Sequence, residues 1–312
     1  MRWALFTLFV IRTFGSDFDF AFVGSSPILL FEALYKHHLG DKVVIFEADS
    51  ECGGAWKSID VCGVRHVDMG CHEIGSTPAL NSFLERYAGC SMISHHEKYY
   101  FSKGCSELID NLLKRIQSAG IPLFNSCRVK SVLLDSEKKE ATLETEKGLF
   151  TASKLVVTNG SSLSVDGVQI KDRSSSKFYH LYLLINDPTP QRFFYHSGTS
   201  SGLSRVVNLT YCAGLERSGQ QLIVLQTHAE QQLLKADFFF EDLKKARLID
   251  SGAKLLKVES YIYEQGPYFR MGSLSLNQQA FFELLNTSHF NVINTYASKW
   301  SKVLPPFVEG LP

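Results

Sequence analysis

Two short turns and one acid hold the residues of this chain whose types and spacing could do chemistry. Gly24-Ser25-Ser26 ends an apolar run, 18–23, and is followed at once by Pro27 and a helical pattern. Glu47 closes a second apolar run, 43–46, and Gly53-Gly54 lies six residues further on. Binding of a dinucleotide is the chemistry such a set performs. A helix N-terminus presents unpaired backbone N–H groups and a partial positive charge, both suited to a pyrophosphate. Gly24 allows a tight exit from a strand and close approach of backbone to ligand. An acid about 20 residues beyond the glycine turn meets ribose hydroxyls, and Glu47 stands 23 positions after Gly24. Gly53 and Gly54 let a second loop pass close to the phosphates.

The first turn departs from the full pattern. G-x-G-x-x-G would place glycines at 24, 26 and 29, where the chain has Gly24, Ser26 and Leu29. Ser26 adds only a small side chain, and its hydroxyl could itself reach a phosphate. Leu29 stands where a glycine ordinarily permits tight helix–strand packing. The helix is therefore expected slightly off the strand, with phosphate contact falling to the Gly24, Ser25 and Ser26 amides. On this steric reading, Ser26→Gly preserves or improves binding. Pro27 suits the first helical position, where no N–H is needed. A Rossmann-type unit that has lost its nucleotide fits the same residues.

The order strand, turn, helix, strand, acid, then Gly53-Gly54 and Asp68-x-Gly70, resembles a known family. It is the FAD-binding family of amine oxidases, protoporphyrinogen oxidases, phytoene desaturases and UDP-galactopyranose mutases. The resemblance implies an α/β fold, with a Rossmann-type FAD/NAD(P)-binding domain and a second, mixed α+β substrate domain. It implies FAD, held by Gly24, Ser25, Ser26, Glu47, Ala48, Gly53, Gly54, Ala55 and Trp56, with the backbone of Val129 against the adenine. The Asp68-Met69-Gly70 segment, flanked by His66 and His72, would lie at the flavin's edge, with His72 facing substrate. A cation often follows the family's glycine pair; Ala55 occupies that place, and Lys57 is the nearest substitute. The family's C-terminal Gly-Asp element is missing. The run 290–293 ends instead in Asn294-Thr295, leaving Asn294 to meet a hydroxyl or phosphate.

The elements that must position these residues follow from periodicity. Residues 79–90 and 106–119 are predicted as amphipathic helices, the second capped by Ser106, and 97–101 as a short strand. Between 121 and 158 the pattern is of strands: 121–124, 132–134, a hairpin of 141–145 and 149–151, and a separate buried strand at 155–158. Strands at 179–185, 205–209 and 221–226, a helix at 238–249 and a strand at 254–263 make up the second region. Tyr261, Tyr263, Tyr268 and Phe269 cluster around Gly266-Pro267, as turn packing or as a flavin-facing wall. The resemblance divides the chain into an FAD-binding domain (17–76 and 102–160), a substrate domain (77–101 and 161–290) and a C-terminal return (291–312).

Composition excludes several classes. Of 312 residues, 45% are hydrophobic and 21% charged, as in ordinary globular proteins. Lys+Arg and Asp+Glu both number 32, so no charge excess favours nucleic acid. Seven cysteines form no CxxC pair, which points to free thiols in a reducing compartment, taken as the cytoplasm, and to no metal site. The segment MRWALFTLFVIRTFGS is too short for a membrane span and reads as an extension or extra strand rather than a secretory leader. The expected partner is a small-molecule substrate. Three functions stay open: an FAD-dependent oxidoreductase of an amine or unsaturated carbon skeleton, a flavin-dependent sugar-nucleotide mutase, and a non-catalytic scaffold. Catalytic residues are not legible, since the cofactor would carry the chemistry.

Overall fold

The computed structural model describes residues 16–69, 72, 74–75, 78–95, 98–135, 137–158, 163–169, 176–187, 205–210, 213–215, 218–228, 236–265 and 290–293. The first described elements are β1 (Phe18–Val23), α1 (Pro27–His38) and β2 (Val43–Phe46). A 3₁₀ turn, Gly54–Trp56, leads to the hairpin of β3 (Ser58–Val61) and β4 (Val64–Asp68). Next come β5 (Ile74–Gly75), α2 (Pro78–Ala88), β6 (Met92–His95), β7 (Lys98–Phe101) and α3 (Gly104–Ser118). They are followed by β8 (Leu123–Phe124), β9 (Val129–Asp135), β10 (Glu140–Thr145), β11 (Gly148–Thr158), β12 (Ser164–Val165) and β13 (Val168–Gln169). The second region holds β14 (Ser176–Asn186), β15 (Arg205–Asn208), β16 (Gln220–His228), α4 (Ala236–Lys245) and β17 (Lys254–Gln265), before β18 (Phe290–Ile293).

β1 and β2 are short and apolar on both faces, the composition of parallel strands covered on both sides. They pair in parallel, with β11 on the other flank of β1 and β8 beyond β2. The three strands expected at 20–23, 43–46 and 155–158 therefore lie side by side in one sheet. α1 and α3 cover one face, where Phe20, Phe22 and Ile45 meet Leu29, Phe31, Leu108 and Leu112. The other face, Ala21, Val23, Val44 and Phe46, is covered by Val132, Ala141 and Leu143 of the β9–β10 pair.

The predicted break between 151 and 155 is absent. β11 is one strand of 11 residues that changes neighbours along its length. Its first half pairs antiparallel with β10 and its second half parallel with β18, while β1 holds its opposite edge from Ala152 to Val157. Nothing in Ala152-Ser153-Lys154 interrupts a strand, so the exchange of partners leaves no mark in the sequence.

The second sheet runs β15-β16-β14-β17, antiparallel throughout. Alternation sends Leu181, Leu183, Ile223 and Leu225 to α4 and its Phe239 and Leu243. Tyr182, Leu184, Val207 and Val224 face the other way, onto Val61, Cys62 and Val67 of the β3–β4 hairpin. This hairpin, which sequence periodicity did not reveal, is the piece on which the second sheet rests. Among the described residues no helix is long and apolar enough to cross a membrane.

Candidate functional site

Three loops converge beyond the carboxyl ends of β1 and β2, and side-chain hydrogen bonds join them. Gly24 leaves β1 with φ 107°, a conformation glycine adopts freely. Its N–H donates to the Phe46 carbonyl at 2.8 Å. That amide is thus committed to the sheet and is not open to a phosphate, contrary to the sequence expectation.

Ser25 is buried; its hydroxyl donates to Glu47 Oε2 at 2.5 Å and accepts the Gly53 N–H at 2.9 Å. Glu47 Oε1 accepts the Asp49 N–H at 2.9 Å. The Glu47 backbone donates to the Phe124 carbonyl and accepts from the Cys127 N–H, each at 2.9 Å. The acid therefore sits at the meeting of the glycine turn, the double-glycine loop and the entry to β9. Each carboxylate oxygen keeps a further lone pair that can accept a hydroxyl proton.

Ser26 is the N-cap residue of α1, extended at φ −62° and ψ 154°, with no side-chain cap bond. It is 8% exposed, and its buried Oγ has no hydrogen-bond partner among the described residues. A hydroxyl left so at a helix N-terminus fits the phosphates of a dinucleotide, which would supply the missing acceptor. Leu29 is fully buried in the core under α1.

Gly53 packs on α3: a Cβ there would lie 3.2 Å from Ile109 Cγ1, at a φ of 108°. Gly54 borders open space, and Gly54–Trp56 forms the turn closed by the Trp56 N–H on the Gly53 carbonyl at 2.9 Å. Ala55 lies within that turn, and Ala48 follows Glu47 half-buried. The Trp56 ring stacks on His72 with centroids 4.4 Å apart. The Lys57 ammonium lies 3.6 Å from the Asp49 carboxylate and 3.9 Å from that of Glu51. Val129 is buried at the start of β9, two residues beyond the Cys127 tie to Glu47. Asn294 lies outside the described residues, as do Tyr268 and Phe269.

A second group was not legible. Asp68 Oδ1 accepts the Cys105 N–H at 2.6 Å and the Ser58 hydroxyl at 2.9 Å. Asp68 Oδ2 accepts the Cys105 thiol at 3.3 Å. Asp68 therefore serves the N-terminus of α3 from another element, in the role expected of Ser106. Ser106 instead accepts the Ser58 N–H through its hydroxyl and donates its own N–H to Ser58 Oγ, both at 3.0 Å. The Asp68 carbonyl accepts the Tyr182 hydroxyl at 3.1 Å, tying the hairpin to the second sheet. The Asp68-x-Gly70 spelling drew attention to this acid, but its partners are distant in sequence.

On the hairpin-facing side of the second sheet, Arg205, Gln226, His180 and Tyr261 occupy one cross-strand row. His180 is buried, and its imidazole is pushed down to about 4, first by burial and then by His72 and Arg205. It is neutral at pH 7. Tyr261 meets Tyr182 edge-on at 6.0 Å, so this member of the expected aromatic cluster packs within the sheet.

No family model matches the chain, and no curated protein matches it. Its fold is similar to that of a reduced UDP-galactopyranose mutase, with TM-score 0.63 and 12% identity over 93% of this chain and 92% of that one. A putrescine oxidase redesigned in its cofactor binding gives TM-score 0.60 and 12% identity over 94% and 96%. Glycine oxidase from Geobacillus kaustophilus gives 0.51 and 14% over 95% of each chain. The fold is accordingly a Rossmann-type α/β architecture with a second, mixed domain.

Proposed function

We propose that the chain is an FAD-dependent oxidoreductase of the amine oxidase-like type, acting on an amine or an unsaturated carbon substrate. The Ser25–Glu47–Gly53 connection carries this reading, because it preforms the phosphate turn, ribose acid and double-glycine loop around one helix N-terminus. FAD, when bound, supplies the hydride acceptor. The chain's own residues bind and orient it: Glu47 accepts ribose hydroxyls, the start of α1 holds the pyrophosphate, and Gly53-Gly54 allow close approach. Trp56, His72 and the His180 row line the neighbouring wall, where a neutral imidazole and aromatic rings exclude water from a small-molecule substrate.

The domain assignment follows the same reading, with 17–76 and 102–160 binding FAD, 77–101 and 161–290 facing substrate, and 291–312 returning to the first unit. Five buried thiols, at Cys52, Cys62, Cys90, Cys105 and Cys127, are free and support a reducing compartment such as the cytoplasm. One observation favours a mutase as second reading: Arg205 stands in the row beside His180, where it can meet a diphosphate. The visible spectrum of the purified protein is the test. Flavin bands, present as isolated or after adding FAD, support the enzyme readings. A protein that takes up no flavin is a scaffold instead.

A further inference from the structure

The two serines after Gly24 have different fates. The Ser25 hydroxyl is engaged on both sides, by Glu47 and by the Gly53 N–H. Among the described residues the Ser26 hydroxyl has no hydrogen-bond partner, although the residue is more than nine-tenths buried and stands at the N-cap of a 12-residue helix. Serine at this position ordinarily caps the helix by accepting a first-turn N–H, and here it does not.

Pro27 sharpens the point. The first turn of a helix normally offers several outward N–H groups. Pro27 at the first position removes one of them. With the Gly24 N–H bonded to Phe46, the turn has fewer backbone donors for an anion than its outline suggests. A hydroxyl beside the missing N–H is a donor in the right place.

We infer that the Ser26 hydroxyl is a direct hydrogen-bond donor to a phosphate oxygen of the bound nucleotide, taking the role of the N–H that Pro27 lacks. The identity of the ligand rests on the FAD reading above; the site rests on the unpartnered hydroxyl and the depleted amide set. The steric expectation is thereby reversed: glycine at position 26 removes a ligand rather than clearing a path.

The experiment titrates the wild type, Ser26→Ala and Ser26→Gly with FAD and, separately, with ADP, by calorimetry. Thermal melts of the ligand-free proteins run alongside. Each substitution should weaken both ligands about ten- to a hundredfold, the worth of a hydrogen bond to a charged acceptor. Ligand-free Ser26→Ala should melt at or above the wild-type temperature, since the hydroxyl has no bond to lose. Unchanged affinity in both variants overturns the proposal, and so does a clearly lowered melting temperature of ligand-free Ser26→Ala, which marks a structural role. If the wild type binds ADP but not FAD, the FAD reading falls and the serine is judged on ADP. If it binds neither, both fall.

Discussion

A Cβ added to Gly104 would lie 2.8 Å from Asp68 Oδ1, and closer still to the His66 carbonyl and Ser58 Oγ. This close approach is what lets an acid from β4 reach the Cys105 N–H and seat the hairpin on α3. Gly104 also has φ 74°, where a Cβ is itself strained. Gly104→Ala should therefore lose about 1–2 kcal/mol to conformation alone, and more because the His66 backbone must move. Urea unfolding would report it as a lowered midpoint, with a slope close to that of the wild type. A midpoint equal to the wild type's would contradict the contact.

Restoring the third glycine should harm the protein. Leu29 is wholly buried, so Leu29→Gly opens a cavity and places glycine within the first turn of a helix. The expected loss is about 3–6 kcal/mol, from large-to-small truncation with the glycine penalty added. Unfolding measured without ligand decides it, and a gain in stability would mean that α1 is held off the sheet by this side chain.

The acid and its serine should be energetically coupled. Ser25→Ala leaves the buried Gly53 N–H without its acceptor, at about 1–3 kcal/mol. Glu47→Ala should weaken FAD by about 1.5–3 kcal/mol through lost ribose bonds. In the ligand-free protein the double variant should lose less than the two single variants together, by at least about 0.5 kcal/mol. Strict additivity in a double-mutant cycle would show that the short contact carries no energy.

Two buried groups give opposing pH dependences. Burial holds the Glu32 carboxyl up at about 7, with Lys36 pulling it down, so between pH 4.5 and 7 the folded chain keeps a proton the unfolded chain releases. That stability is complete at low pH and declines as pH rises through the window. His180, pushed down to about 4 from 6.5, behaves oppositely: its contribution is complete above pH 6.5 and declines as pH falls. Glu32→Gln should gain about 1–2 kcal/mol over the wild type at pH 8, with partial screening of a half-buried carboxyl allowed for, and nothing at pH 4. Chemical denaturation at the two pH values distinguishes this from a pH-independent difference.

What was legible in the sequence was local. β1, α1, β2 and Glu47 announce themselves through apolar runs, a proline at the helix start and glycine at a turn, and all four stand where the pattern puts them. Ser106 illustrates the limit: its type and place suit a cap, yet Asp68 takes that role from 37 positions away. The His180 row is likewise invisible, because antiparallel pairing of distant strands decides which side chains share a face. The sequence assigns Ser25 only a backbone amide for phosphate, and only the return of the chain at Gly53 gives its hydroxyl two partners.

The parallel placement of β18 against the second half of β11 has a consequence for how the protein is made. Leu155–Thr158 emerges from the ribosome long before Phe290–Ile293, its edge partner, and the entire second sheet is synthesised in between. Until then that stretch presents an open backbone edge, the kind of surface that invites wrong pairing. Vectorial folding can complete α1, β2 and α3 early, but closing this edge must wait for β18. A ribosome stalled before residue 290 would hold a chain whose first sheet is unfinished even though the whole second sheet has been translated.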